Sequence, residues 1–149
     1  MKIEDEIKQS TFKDEYQKAH INLVFTTGWL QQQQSGQFKE FGLTLPQFNI
    51  LRILRGQHPK PATVNLLIER MLDKTSNASR IVDKLEVKHL VTRTVCPSNR
   101  RAVDIRITEA GLELLRQLDA VMQTQQLGLQ NLTLEEAAQL SNLLDKIRD

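Results

Sequence analysis

Cysteine, glycine, proline and aromatic residues are all scarce in this sequence of 149 residues, and each scarcity excludes a class of protein. The single cysteine, Cys96, has no partner for an intramolecular disulfide, so the fold must rest on a hydrophobic core, which a chain of this length can build as one domain over residues 1–149. Six glycines and four prolines are too few for a collagen-like or low-complexity chain. No apolar run approaches the roughly 20 residues that cross a bilayer, because charge or glutamine interrupts each one. The start of the chain lacks the apolar stretch and small-residue cleavage site of a secretory signal, so no membrane association and a cytoplasmic location are expected. Excess charge of either sign is lacking too: 20 Lys plus Arg face 18 Asp plus Glu, and a net charge of +2 by itself points to no polyanionic partner.

Catalytic patterns are also absent. His20, His58 and His89 fall in no HxxxH, HExxH or CxxC spacing, no glycine-rich phosphate loop occurs, and no serine sits in a nucleophile-elbow motif. The carboxylates are scattered, with no pair suited to general acid and base work. No catalytic residue, metal site or cofactor is therefore expected, and the chain does not read as an enzyme.

What is present is helical periodicity. Phe12, Tyr16, Ala19, Leu23, Val24, Trp29 and Leu30 recur at helical spacing and predict a long first helix over 12–34, fraying into a loop through Gln31–Gly36. Thr44 is a candidate cap for a second helix in LTLPQFNILRILRG, stopped by Gly56, Pro59 and Pro61. Thr63 caps a third, with Val64, Leu67, Ile68 and Met71 inward, and a fourth begins at 74–76 with Ala78, Ile81, Val82 and Leu85 inward. VTRTVC and VDIRIT alternate apolar with polar residues around PSNRRA, which reads as a hairpin with a basic tip. Thr108 and Thr133 then cap a fifth and a sixth amphipathic helix.

The near-neutral total conceals an uneven distribution. Residues 74–106 carry eight basic side chains, Lys74, Arg80, Lys84, Lys88, Arg93, Arg100, Arg101 and Arg106, against Asp83, Glu86 and Asp104, a net of +5 that leaves −3 on the other 116 residues. A basic block confined to one helix and one hairpin is the electrostatic footprint of a phosphate-backbone binder. The outward face of the fourth helix presents Ser76, Asn77, Ser79, Arg80, Asp83 and Lys84, of which the Asn, Arg and Ser side chains are types suited to base edges and phosphates in a major groove. A solvated helix face is the alternative reading of the same residues. Arg100 and Arg101 at the hairpin tip suit a flanking minor groove, or a brace to Asp104 or Asp83. Cys96 lies near Arg93, Arg100 and Arg101, whose charge lowers a thiol pKa; an oxidisable thiol and an inert small side chain both fit that position.

Taken together, FGLTLPQFNILRIL, KTSNASRIVDKLEVKHLVTR and SNRRAVDIRITEAG resemble the MarR family of winged helix-turn-helix transcriptional regulators, over about residues 12–147 and most strongly from Leu43 to Gly111. The resemblance implies a mainly α fold with a small β-hairpin wing, a winged helix-turn-helix lobe at 44–107 and dimerisation helices at 12–34 and 108–149. It implies a homodimer on double-stranded DNA, with recognition helices about 34–36 Å apart over a pseudo-palindromic operator. Lys74, Lys84, Arg100 and Arg101 would contact phosphates, and Ser76, Asn77, Ser79 and Arg80 would read bases. It also implies repression relieved by a small aromatic or anionic effector in a cleft faced by His20, Phe25, Trp29 and Phe48. Two positions depart from the family pattern: Asn99 replaces the acidic residue before the wing arginines, and His89 stands where glycine is usual after the recognition helix. A winged-helix protein-interaction module without specific DNA binding is the reading from another class.

Overall fold

Side-chain caps set where the helices begin. In the structure, a computed structural model that describes residues 1–125 and 128–149, and of Arg100, Arg101 and Gln125 the main chain only, Thr44, Thr63, Asn77 and Thr133 each accept the backbone N–H three residues on. Thr44 with Gln47, and Thr133 with Glu136, complete reciprocal capping boxes. The elements are α1 (Ile3–Glu6), α2 (Glu15–Glu40), α3 (Leu45–Gln57), α4 (Val64–Arg70), α5 (Ala78–Val87), β1 (Val91–Cys96), β2 (Asn99–Ile107), α6 (Glu109–Gln125) and α7 (Leu134–Ile147). This is the mainly α fold with a hairpin wing that the sequence predicts.

The long first helix differs at both ends from its periodicity. It starts three residues after Phe12, where the Asp14 carboxylate accepts the Gln17 N–H at 2.8 Å, and Phe12 lies under the Lys18 ammonium instead, 5.8 Å from its ring centre. At the other end the expected loop at Gln31–Gly36 is helix. Glutamine is a good helix former, and the turn beyond it is anchored by Phe38, fully buried and stacked on Phe48 at 4.4 Å. The stop comes at Gly42, whose φ of 68° allows its N–H and that of Leu43 to reach back to Lys39 and Phe38. Gly56, likewise, does not end α3, which runs to Gln57 ahead of Pro59.

The core lies among α3, α4, α5 and the hairpin, with one segment of α2 and one of α6 seated on them. Phe38 of α2, Ile50, Leu51 and Leu54 of α3, Leu67 of α4, Val82 and Leu85 of α5, Ile105 of β2, and Leu115 and Leu118 of α6 are all essentially inaccessible. Burying each large side chain contributes about 1.5–3 kcal/mol. Ile68 is 44% exposed, so α4 packs through Leu67 and Met71, and Ile81 is only half-buried. Arg55 forks onto Asp119 at 2.5 and 3.4 Å, joining α3 to α6.

The hairpin is antiparallel, with Val91 opposite Ile107 and Val95 opposite Val103, and Ala62 bridges Ile105 through 2.8 and 2.9 Å backbone bonds. Beyond Val95 the register slips, so that Cys96 pairs with Asn99. Arg100 and Arg101 therefore lie within the bulged start of β2 rather than at a loop tip.

Farther along α2 and on α7, apolar surface is left uncovered. α7 has no buried residue, and Leu134 and Ile147 on it, with Tyr16 and Val24 on α2, are largely exposed apolar side chains.

Candidate DNA-binding surface

The turn between α4 and α5 is built by one carboxylate. Asp73 accepts the Thr75 N–H at 2.9 Å, the Thr75 hydroxyl at 2.6 Å and the Ser76 hydroxyl at 2.8 Å, which holds its carboxyl below the ordinary value, the Thr75 hydroxyl being the leading cause. Lys74 folds back onto the carbonyls of Ile68, at 3.1 Å, and of Glu69, satisfying acceptors that the end of α4 leaves open. Asn77 caps α5 by accepting the Arg80 N–H at 3.1 Å. Lys74, Ser76 and Asn77, all three predicted as DNA contacts, thus also hold the turn together.

Beyond the turn, Ser79, Arg80 and Lys84 are exposed on α5. Arg80 and Lys84 stand four residues apart, on one face, and among the described residues neither side chain makes a hydrogen bond or ion pair. The Arg100 and Arg101 side chains lie outside the described residues; their main chain opens β2.

Two residues that sequence reasoning left out of the site join the wing to this helix. Arg93, on β1, reaches the Asp83 carboxylate on α5 at 2.6 Å and the Ser79 carbonyl at 3.5 Å. Asp83 is therefore the partner of Arg93. The available signal was alternation: in VTRTVC, Arg93 shares the inward face with Val91, a position where a cation needs a partner.

The far end of α5 explains the second family departure. His89 sits at φ 60°, in the left-handed region, with its N–H on the Glu86 carbonyl and that of Leu90 on Leu85, the same pattern that Gly42 makes after α2. Its own carbonyl accepts the Thr108 hydroxyl at 2.8 Å, and the same hydroxyl oxygen accepts the Gly111 N–H at 3.1 Å, so Thr108 ties the end of α5 to the start of α6.

Cys96 is paired with Ser98 at 3.1 Å, and that hydrogen bond is the leading cause that lowers its thiol pKa, while Asp104 opposes it. Among the described residues no cluster of three His, Cys, Asp or Glu is placed to hold a metal, and no helix is long and apolar enough to cross a membrane.

The four effector candidates do not meet. His20 lines an apolar groove of about 640 Å³ with Tyr16, Leu23 and the α7 leucines, and Trp29 lines a separate cleft of about 270 Å³ with Gln33, Gln34, Gln37 and Met122. Phe48 is core, stacked on Phe38, and Phe25 lines neither opening.

This arrangement, a capped helix-turn-helix followed by a hairpin, is shared with known proteins. The MarR family profile matches residues 43–103, from the residue before the α3 cap to the wing. A MarR transcription factor from Planctomyces limnophilus is 32% identical over 91% of this chain and 98% of its own, with a TM-score of 0.69. This chain belongs to the MarR family. Two more distant members share the fold. A cysteine-to-serine variant of MarR from E. coli, complexed with operator DNA, is 22% identical with a TM-score of 0.75 over 93% of this chain and 99% of its own. BpsR from Bordetella bronchiseptica, whose DNA binding is regulated by 6-hydroxynicotinic acid, is 20% identical with a TM-score of 0.66 over 86% and 99%. As a MarR-family member the chain is a DNA-binding regulator of transcription with the winged-helix fold, and the profile match spans α3, α4, α5 and most of the β1–β2 hairpin.

Proposed function

We propose that this MarR-family protein is a ligand-responsive repressor that acts as a homodimer on a pseudo-palindromic operator. The observation that carries the DNA-reading part is the bare Arg80 and Lys84 face of α5, mounted on a turn whose every cap is satisfied. Arg80 and Ser79 read base edges from the first turn of α5, joined from the turn before it by the Asn77 amide N–H groups and the Ser76 hydroxyl oxygen, which the Asp73 turn leaves open, and Lys74, Lys84, Arg100 and Arg101 meet phosphates and supply salt-dependent affinity. The lobe at 44–107 binds DNA; the segments 12–34 and 108–149 pair two copies. Support for pairing comes from the uncovered apolar side chains of α2 and α7, since leaving Leu143, Ile147 and Val24 in water is unfavourable by about 25 cal/mol per Å² of apolar surface.

Effector control rests on the clefts beside α2. A small aromatic or anionic molecule bound at His20 or Trp29 shifts the dimer toward a geometry whose recognition helices no longer match successive major grooves; regulation of BpsR by 6-hydroxynicotinic acid supports a small-molecule effector. The protein works in the cytoplasm, where its operator is.

The test is selection of duplexes from a random pool by the purified protein, with sedimentation analysis of the complex. Recovery of an inverted repeat bound by two chains is expected. A protein that binds no duplex at low or moderate salt would instead be a winged-helix protein-interaction module, and one that binds as a single chain would overturn the dimer.

A further inference from the structure

Asp83 is an awkward residue for a DNA-reading helix. It lies three residues after Arg80 and next to Lys84 on the face assigned above to DNA, and at that spacing a carboxylate and a guanidinium on one helix are neighbours that pair readily. Yet Arg80 makes no ion pair among the described residues, because Asp83 is held by Arg93 from the wing strand at 2.6 Å. The Arg93 side chain is 31% exposed and that of Asp83 61% exposed, and ion pairs so open to water contribute little to stability. Arg93 also leaves its buried Nε without a partner, an arrangement that stability alone does not favour. What the pair does decide is where the carboxylate within one helical turn of Arg80 points.

We propose that Arg93 is a positioning residue for sequence recognition: by holding the Asp83 carboxylate against the wing, it keeps the Arg80 guanidinium free for a base edge. The second bond, from Arg93 to the Ser79 carbonyl at 3.5 Å, fixes the same turn of α5 from which Arg80 projects. Without Arg93, Asp83 turns to Arg80, and a guanidinium engaged by a carboxylate is no longer available for the bidentate contact to guanine that it is shaped to make. This inference rests on Arg80 reading bases, as proposed above.

The experiment uses the full-length protein and two probes: a duplex of about 30 base pairs recovered by the wild type from a random pool, long enough for two half-sites one turn apart, and a scrambled duplex of equal composition. The quantity read is the ratio of the two affinities. Arg93→Met, which keeps the apolar stem, is expected to lower this ratio about tenfold, the scale of one lost base contact, and Arg93→Gln to do the same should the methionine variant fail to fold. Arg93→Lys, which retains a cation for Asp83, keeps the ratio near the wild-type value. The decisive variant is Asp83→Asn combined with Arg93→Met, in which no carboxylate remains within one helical turn of Arg80, and the ratio returns.

A general loss of positive charge weakens both duplexes equally and leaves the ratio unchanged in Arg93→Met, which would overturn the proposal. So would a ratio that falls and stays low in the double variant, since that is the behaviour of a brace whose loss disorders the wing. If the wild type recovers no sequence at all, base reading by Arg80 fails first, and the role of Arg93 fails with it.

Discussion

Replacing Gly111 by alanine sets two physical effects of opposite sign against each other. Gly111 is in the first turn of α6, and helix propensity alone makes Gly→Ala there favourable by about 1 kcal/mol. Tertiary structure reverses the sign. A Cβ at Gly111 would stand 2.5 Å from the Leu90 carbonyl oxygen and 2.7 Å from Ile107 Cγ1, distances at which something must move. The obstructing oxygen is backbone, held in place by the hydrogen bonds of Leu90 and His89 to α5 and of Thr108 to both His89 and Leu90, so relief requires displacing the junction between α5 and α6. Overpacking of that kind costs about 3 kcal/mol, and subtracting the propensity gain leaves a net loss of about 2 kcal/mol. For a chain of this size the thermal midpoint falls by roughly 4–8 °C. The assay is thermal unfolding followed by circular dichroism, at one protein concentration throughout because association shifts the midpoint. Gly56→Ala is the internal control: that glycine lies in α3 with nothing within 4 Å of its would-be Cβ, and the substitution is expected to raise the midpoint. A Gly111→Ala protein as stable as the wild type would refute the close approach of α6 to Leu90.

His89→Gly removes a left-handed side chain and is expected to stabilise the protein by up to about 1 kcal/mol in denaturant unfolding, whereas His89→Val destabilises it. Arg80→Ala is expected to weaken binding to a selected duplex by roughly 1–3 kcal/mol with relaxed sequence preference, while Lys84→Ala weakens all duplexes alike and lowers the salt slope by about 1, both read in titrations at several salt concentrations. For Asp73, hydrogen bonds from Thr75 and Ser76 favour the ionised form, so the turn they build is complete above the unfolded-state pKa of about 4 and is lost as pH falls through the lower folded value. A carboxyl-carbon NMR titration of Asp73 should show a midpoint below that of a free aspartate, and one at or above it would rule out this account. Ser98→Ala removes the leading cause of the lowered Cys96 thiol pKa, and the pH dependence of Cys96 alkylation should move upward.

Much of this protein was legible without coordinates, and the reason is that local signals are self-contained. A Thr at a helix start, a Pro at the second helical position or an alternating six-residue strand acts on its own backbone, so Thr44, Thr63 and Thr133 mark their helices correctly from sequence. The skew of charge onto residues 74–106 is likewise a property of the chain alone, and with the three motif segments it pointed to the family before any contact was known. What sequence could not settle were choices made between distant residues. Glutamines 31–34 carry no apolar period, yet they are helical because Phe38 finds Phe48. Ser76 and Asn77 look like wholly free polar groups at the start of a helix, and only the turn around Asp73 shows that part of the hydrogen-bonding capacity of each is already engaged. Phe48 and Trp29 look alike as candidate cleft residues until one proves to be core and the other to line an opening. Asp83 reads as one more solvated carboxylate until Arg93 reaches it from β1, ten residues on. Composition and spacing determined the class of protein and the elements from which it is built. Which polar side chains are left over to meet another molecule depends on which partners each has already found, and folding alone brings those partners together.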